Sequence, residues 1–110
     1  MLLVRTEYKK GVLFVRLKGR LDNEGYLEKI HDLIEEFGIR IAVLNISRLS
    51  NVSLENINYM IKWKNILKRK RHLLFICDDK DSRNSLFRSV KKISREGDIF
   101  AFLNRKGAYE

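Results

Sequence analysis

No proline occurs anywhere in the 110 residues, and cysteine occurs once. The first absence excludes polyproline segments, rigid proline linkers and turns built on a cis X–Pro bond. The second excludes an internal disulfide and every cysteine-rich metal pattern. Cys77, inside "HLLFICDD", reads as a small buried hydrophobe. Only two histidines are present, His31 and His72, far apart and without companions at ligand spacing, so no metal and no cofactor is expected. No apolar run approaches the ~20 residues of a membrane helix. The start, "MLLVRTEYKK", lacks the length and cleavage site of a signal peptide. Repeats, linkers and low-complexity stretches are missing as well. One domain over residues 1–110 in a cytoplasmic setting is the expectation.

Acidic residues are the scarce charge. Twenty-three Lys and Arg stand against fourteen Asp and Glu, a net charge of +9. Such an excess favours encounter with anionic partners such as nucleic acid, acidic protein faces or anionic lipid. The plainer account is an ordinary solvated surface rich in lysine.

The apolar residues fall into short periodic segments. "LLVRTEY" and "VLFVRLKG" read as two strands joined by "KKG", with Gly11 supplying the positive φ of a tight turn. Leu13, Val15 and Leu17 share one face of the second strand. "RLDNEGYLEKIHDLIEEFG" reads as a helix, capped by Asp22 or Asn23 and stopped by Gly38. Tyr26, Leu27, Ile30, Leu33, Ile34 and Phe37 recur on it at helical spacing, and His31 falls on its polar side. "IRIAVLNI" is a strand apolar enough to be buried on both faces.

A polar loop within "LNISRLSNVSLENINYM" leads to a second helix, from about Leu54 to Lys68. "HLLFIC" is a further buried-type strand. "DDKDSRNSLFRSVKKISREG" reads as a third helix with Leu86, Phe87, Val90 and Ile93 inward, and "DIFAFLN" as a last strand. The order β-β-α-β-α-β-α-β predicts an α/β fold, a mixed and mostly parallel sheet with helices covering it.

Catalytic patterns are absent. There is no glycine-rich phosphate loop and no G-x-S-x-G elbow. Asp78, Asp79 and Asp81 cluster at a strand end where α/β folds bind ligands. Carboxylates in that position also cap a following helix, which is the preferred account. No enzyme activity is expected.

Two local patterns carry a resemblance. "VRLKGRLD", Val15 to Asp22, is similar to a strand ending in glycine, a variable residue, an apolar residue and aspartate. The second is the strand, polar loop and helix start around Ser53. Together with the element order they resemble the STAS domain of bacterial anti-sigma factor antagonists, over nearly the whole chain. Members of that family often read Asp-Ser-Ser/Thr-Gly-Leu at the opening of the second helix. Aligned without gaps, Ser53 stands at the aspartate, Leu54 at the phosphorylated serine, Glu55 at the next hydroxyl residue, Asn56 at the glycine and Ile57 at the leucine.

The resemblance implies a non-catalytic regulator that binds a protein partner: an anti-sigma factor of the kinase-like class, a related ATPase-fold regulator or another STAS protein. It also implies that the switch is missing. Phosphate would add about −1.5 to −2 charge and break the complex, but Leu54 has no hydroxyl to accept it. Glu55 is either a weak phosphate mimic or, preferably, a helix-dipole residue. Ser53 is the expected N-cap, and could take a phosphate only with the register slipped by one.

On the second helix, Ile57, Met60, Ile61 and Leu67 form the expected core stripe, with Lys64 falling inside it. Tyr59, Trp63 and Ile66 fall on a different face: either a strip that a one-sided helix leaves in water, an anchor for a partner or for a homodimer, or, with the helix rotated, part of the core. The expected partner-binding set is Asp22, Ser53, Leu54, Glu55, Asn56, Tyr59, Trp63 and Ile66. The competing reading is a nucleic-acid or anionic-surface binder. It uses the basic patch Lys68, Arg69, Lys70 and Arg71, further cations at Arg83, Arg88, Lys91, Lys92 and Arg95, and Tyr59 and Trp63 as stacking rings.

Overall fold

The structure, a computed structural model, describes residues 2–21, 25–80 and 90–106. It opens with strands β1 (Leu2–Lys9) and β2 (Val12–Arg20), an antiparallel hairpin in which Lys9 lies opposite Val12. The two connecting residues, Lys10 and Gly11, have φ 52° and 82°. Positive φ at both positions matches the right-handed twist of the flanking strands, as in a type I′ turn.

Helix α1 (Gly25–Phe37) follows, then β3 (Ile41–Asn51), helix α2 (Leu54–Arg69) and β4 (Leu73–Cys77). Gly38 ends α1 with φ 61°. The Ile39 N–H donates to the Ile34 carbonyl at 3.1 Å and the Gly38 N–H to that of Glu35 at 3.4 Å. This satisfies carbonyls that the helix end leaves open. Contrary to expectation, Phe37 at that end is exposed, and the anticipated caps Asp22 and Asn23 lie outside the described residues.

The remaining elements among the described residues are strand β5 (Lys91–Ile93) and helix α3 (Asp98–Lys106). The five-stranded sheet has the order β1-β2-β3-β4-β5, parallel except at the first hairpin. The α/β architecture with a mostly parallel sheet is therefore as expected, but the end of the chain differs from its sequence reading. Lys91–Ile93 is strand where a third helix was expected, and the strand expected over "DIFAFLN" is helix. Most of the predicted third helix, including Arg83, Leu86, Phe87 and Arg88, lies outside the described residues.

The physical reason lies in the second face of the sheet. Leu13, Val15, Leu17, Leu44, Ile46, Leu74 and Ile76 point to the face covered by α1 and α2. Val12, Phe14, Val43, Phe75 and Cys77 point the other way and meet Ile99 and Leu103 of α3. A terminal strand would leave that second face in water. Residues 99, 100, 102 and 103 are β-formers by composition, but their spacing is that of one helix face.

Strand β3 also runs further than the sequence suggests, to Asn51. Its pairing with β2 shifts register between Arg16 and Lys18, so that Ile46 and Ser47 together oppose Leu17. This bulge breaks the two-residue alternation, and Ile46 and Leu49 are both buried against the helices. The polar loop shrinks to Val52 and Ser53.

Burial pushes the Cys77 thiol up to about 12, with nearby carboxylates adding to the effect. The thiolate is the reactive form. A thiol reagent at neutral pH is therefore expected to label Cys77 at only a small fraction of its rate in denaturant, as followed by intact mass. Fast labelling of the folded protein would contradict this packing.

Candidate functional site

The parallel pairing of β3 with β4 requires a crossover, and α2 is that crossover. Its N-terminus therefore sits at the C-terminal edge of the sheet. Ser53 is the N-cap, with extended backbone at φ −81° and ψ 160°. Its Oγ accepts from the Asn56 N–H at 3.1 Å, and Asn56 Oδ1 accepts from the Ser53 N–H at 3.3 Å. The reciprocal pair is a capping box built with asparagine. Asn56 is buried by this role, so its side chain is part of the scaffold of the site and not of its surface. Leu54 and Glu55 project outward, Leu54 with 67% of its surface exposed.

The exposed strip expected on α2 does not exist as drawn. Trp63 is buried, at 3% exposure, in the same cluster as Ile57, Met60 and Leu67. At about 100° per residue the buried arc is centred on Met60 and extends to Ile57 on one side and Trp63 on the other. Tyr59 and Ile66 flank it, half-buried. A core tryptophan needs a partner for its N–H. Here Nε1 donates to His31 Nδ1 at 2.6 Å, across the α1–α2 seam. An Nδ1 that accepts leaves the proton of the neutral ring on Nε2. That nitrogen lies 3.5 Å from Glu35 Oε1. Lys70 Nζ reaches the same carboxylate oxygen at 2.7 Å and holds the Glu35 carboxyl below its ordinary range. His31, expected on the polar face, is thus a structural link between the two helices.

Between the helices runs a shallow groove lined by Glu28, His31 and Asp32 of α1 and by Leu54, Glu55, Asn58, Tyr59, Lys62, Ile66 and the edge of the buried Trp63 of α2. Three carboxylates face one ammonium along it. The groove is therefore acidic in a chain that is basic overall, and it has no ring free for base stacking at Trp63.

The cations gather elsewhere. Lys68, Arg69, Lys70 and Arg71 are all exposed at the C-terminal end of α2. At the opposite end of the strands Arg16 is held by Glu96, at 2.7 Å from Nη2 and 2.9 Å from Nε, and by Glu7 at 2.9 Å. Asn45 Nδ2 adds a bond to Glu96 at 2.8 Å. Arg16 keeps the Glu96 carboxyl below its ordinary range. Of the other expected cations, Lys91 and Lys92 lie in β5 and Arg95 in the turn before α3. Asp78, expected as a cap, is buried, and its Oδ1 accepts from the Lys80 N–H at 3.2 Å. Asp22 and Asp81 lie outside the described residues. Among the described residues no group of three or more His, Cys, Asp and Glu could hold a metal ion.

No protein-family model matches the chain. Among solved structures, the anti-sigma factor antagonist SpoIIAA in its unphosphorylated form is similar, with TM-score 0.73 and 16% identity over 94% of this chain and 98% of that one. An anti-sigma factor antagonist from Mycobacterium paratuberculosis gives TM-score 0.75 and 13% identity over 94% and 95%. An uncharacterized protein with a SpoIIAA-like fold from Shewanella loihica gives 0.61 and 19% over 93% of each chain. The fold is STAS-like. At these identities the likeness is one of architecture.

Trp63→Ala is expected to cost about 3–5 kcal/mol in urea unfolding, as a large core truncation. His31→Ala is expected to cost about 1–3 kcal/mol, because it leaves the buried indole N–H without an acceptor. Losses under ~0.5 kcal/mol, the range of ordinary surface substitutions, would return both residues to the surface.

Proposed function

We propose that the protein is a non-catalytic regulator that binds a protein partner through the start of α2 and the adjoining groove, without phosphoserine control. The observation that carries this reading is Leu54. It occupies the place where the resembled pattern has its phosphorylated serine, and it is a leucine in water at 67% exposure. An exposed leucine at a helix start serves neither the core nor the cap, since Ser53 and Asn56 already form the cap. It suits a contact that excludes water on binding. The neighbouring hydroxyl, Ser53, has its oxygen engaged by the Asn56 N–H. The STAS-like fold supports a partner of the anti-sigma factor or STAS class. The acidic groove favours a partner whose contact face carries cations.

A second reading, binding of nucleic acid or another polyanion at Lys68–Arg71, has one observation in its favour. Arg71 has φ 64° and fills the left-handed position after α2, with the His72 N–H donating to the Leu67 carbonyl at 2.8 Å. Glycine takes this position without strain. A cation kept there at a conformational cost points to a use for the charge.

Separate experiments test the two readings. Incubation with an anti-sigma kinase and ATP is expected to leave the intact mass unchanged, and Leu54→Asp is expected to abolish capture of that anti-sigma factor. Stoichiometric phosphate at Ser53, or capture insensitive to Leu54→Asp, would refute the first reading. Arg71→Gly is expected to stabilise the fold by about 1 kcal/mol through relief of left-handed strain. If the second reading holds, the same change lowers the salt slope of nucleic-acid binding by about one. An absence of salt-dependent binding removes that reading.

A further inference from the structure

We infer that two copies of this chain pair edge to edge through β1, antiparallel and centred on Thr6, extending the sheet across a twofold axis. Strand β1 is an edge of the sheet, eight residues long, and its outer side has no strand partner among the described residues. It also carries three of the six large apolar side chains that are exposed among the described residues: Leu3, Val4 and Tyr8.

The hairpin decides which backbone groups are available. Beside a two-residue turn the flanking pair, Lys9–Val12, exchanges both ladder bonds, and the pattern then alternates along the strand. Glu7, Arg5 and Leu3 thus turn their N–H and C=O groups toward β2, where they face Phe14, Arg16 and Lys18. Tyr8, Thr6 and Val4 turn theirs outward, ready for a second strand.

Side chains then select the register. Antiparallel pairing about a twofold axis normal to the sheet keeps each residue on its own face, so the axis passes through a residue opposite its own copy. Centred on Arg5, the pairing sets Arg5 against Arg5. Centred on Glu7, it sets Glu7 against Glu7 and Arg5 against Lys9. Centred on Thr6, it sets Arg5 against Glu7 twice, Val4 against Tyr8 twice and Thr6 against Thr6. Opposite charges, an aromatic with a β-branched residue, and paired threonines are each favourable cross-strand neighbours.

Among the described residues Arg5 has no ion-pair partner. Its neighbour across the hairpin is Arg16, a like charge whose own carboxylates, Glu7 and Glu96, are already engaged. The remaining Glu7 oxygen of a second copy supplies one. A twofold axis normal to the sheet also puts both α1–α2 faces on the same side of the extended sheet, far from the joining edge, so two Leu54 surfaces are presented together.

Sedimentation equilibrium on the full chain tests this. The wild type is expected to show a concentration-dependent monomer–dimer equilibrium. Arg5→Glu, which sets two like-charge pairs across the joint, is expected to raise the dimer Kd about tenfold or more, and Arg5→Glu with Glu7→Arg to recover it to within about threefold. Thr6→Pro removes an outward N–H that the hairpin does not use and is expected to yield monomer. Far-UV circular dichroism checks that each variant is folded, and the charge swap stands as the test if the proline variant is not. A wild type that stays monomeric at the highest attainable concentration would overturn the proposal. So would a dimer indifferent to Thr6→Pro, or one weakened by Leu54→Asp, which would place the contact elsewhere.

Discussion

Burial of β3 and β4 on both faces is the constraint from which the rest of the molecule follows. Val43, Leu44, Phe75 and Ile76 have almost no exposure, and their neighbours alternate between two separate apolar clusters. Adjacent parallel strands cannot be joined by a hairpin, so each must be reached by a crossover that also covers a face. Helix α2 is that crossover between β3 and β4, and α3 closes the opposite face. The start of α2 is thereby brought to the carboxyl edge of the sheet whatever its residues are. In α/β folds this edge is where binding surfaces form.

Within that frame the residues at the start of α2 divide their work. Ser53 and Asn56 satisfy the open N–H groups of the helix and of each other, which frees Leu54 and Glu55 to face outward. The bulge at Ile46–Ser47 bends the end of β3 so that Leu49 still reaches the core before the chain turns. Further along α2, Trp63 fills the seam with α1 and is tied to it through His31. The two walls of the groove are therefore set by core packing, and only their outer residues reach the surface.

Charge is distributed by the same geometry. Lys68, Arg69, Lys70 and Arg71 are exposed at the end of α2, while the α1–α2 groove carries Glu28, Asp32 and Glu55 against Lys62. A net charge of +9 describes the whole surface. It does not describe the α1–α2 face. That face presents an exposed leucine, a half-buried tyrosine and local carboxylates.

Much of this was legible in the amino-acid order. The Lys10–Gly11 turn, the Gly38 stop, the Ser53 cap and the continuous apolar runs of β3 and β4 are local signals, each set by the φ preference or hydrogen-bonding capacity of one or two residues. The parallel sheet follows from the alternation of those segments. Three features were decided only in three dimensions. "DIFAFLN" suits a strand by composition but became helix α3, because the second face of the sheet needed a cover. Trp63 lies one helical step from the core stripe, and only the presence of His31 on α1 gave its N–H an acceptor and drew it inside. Asn56 became a capping partner once Ser53 was placed at the helix start. Local order determines which segments can form, since propensity and capping act within a few residues. Which face each segment buries depends on what the remainder of the chain brings against it.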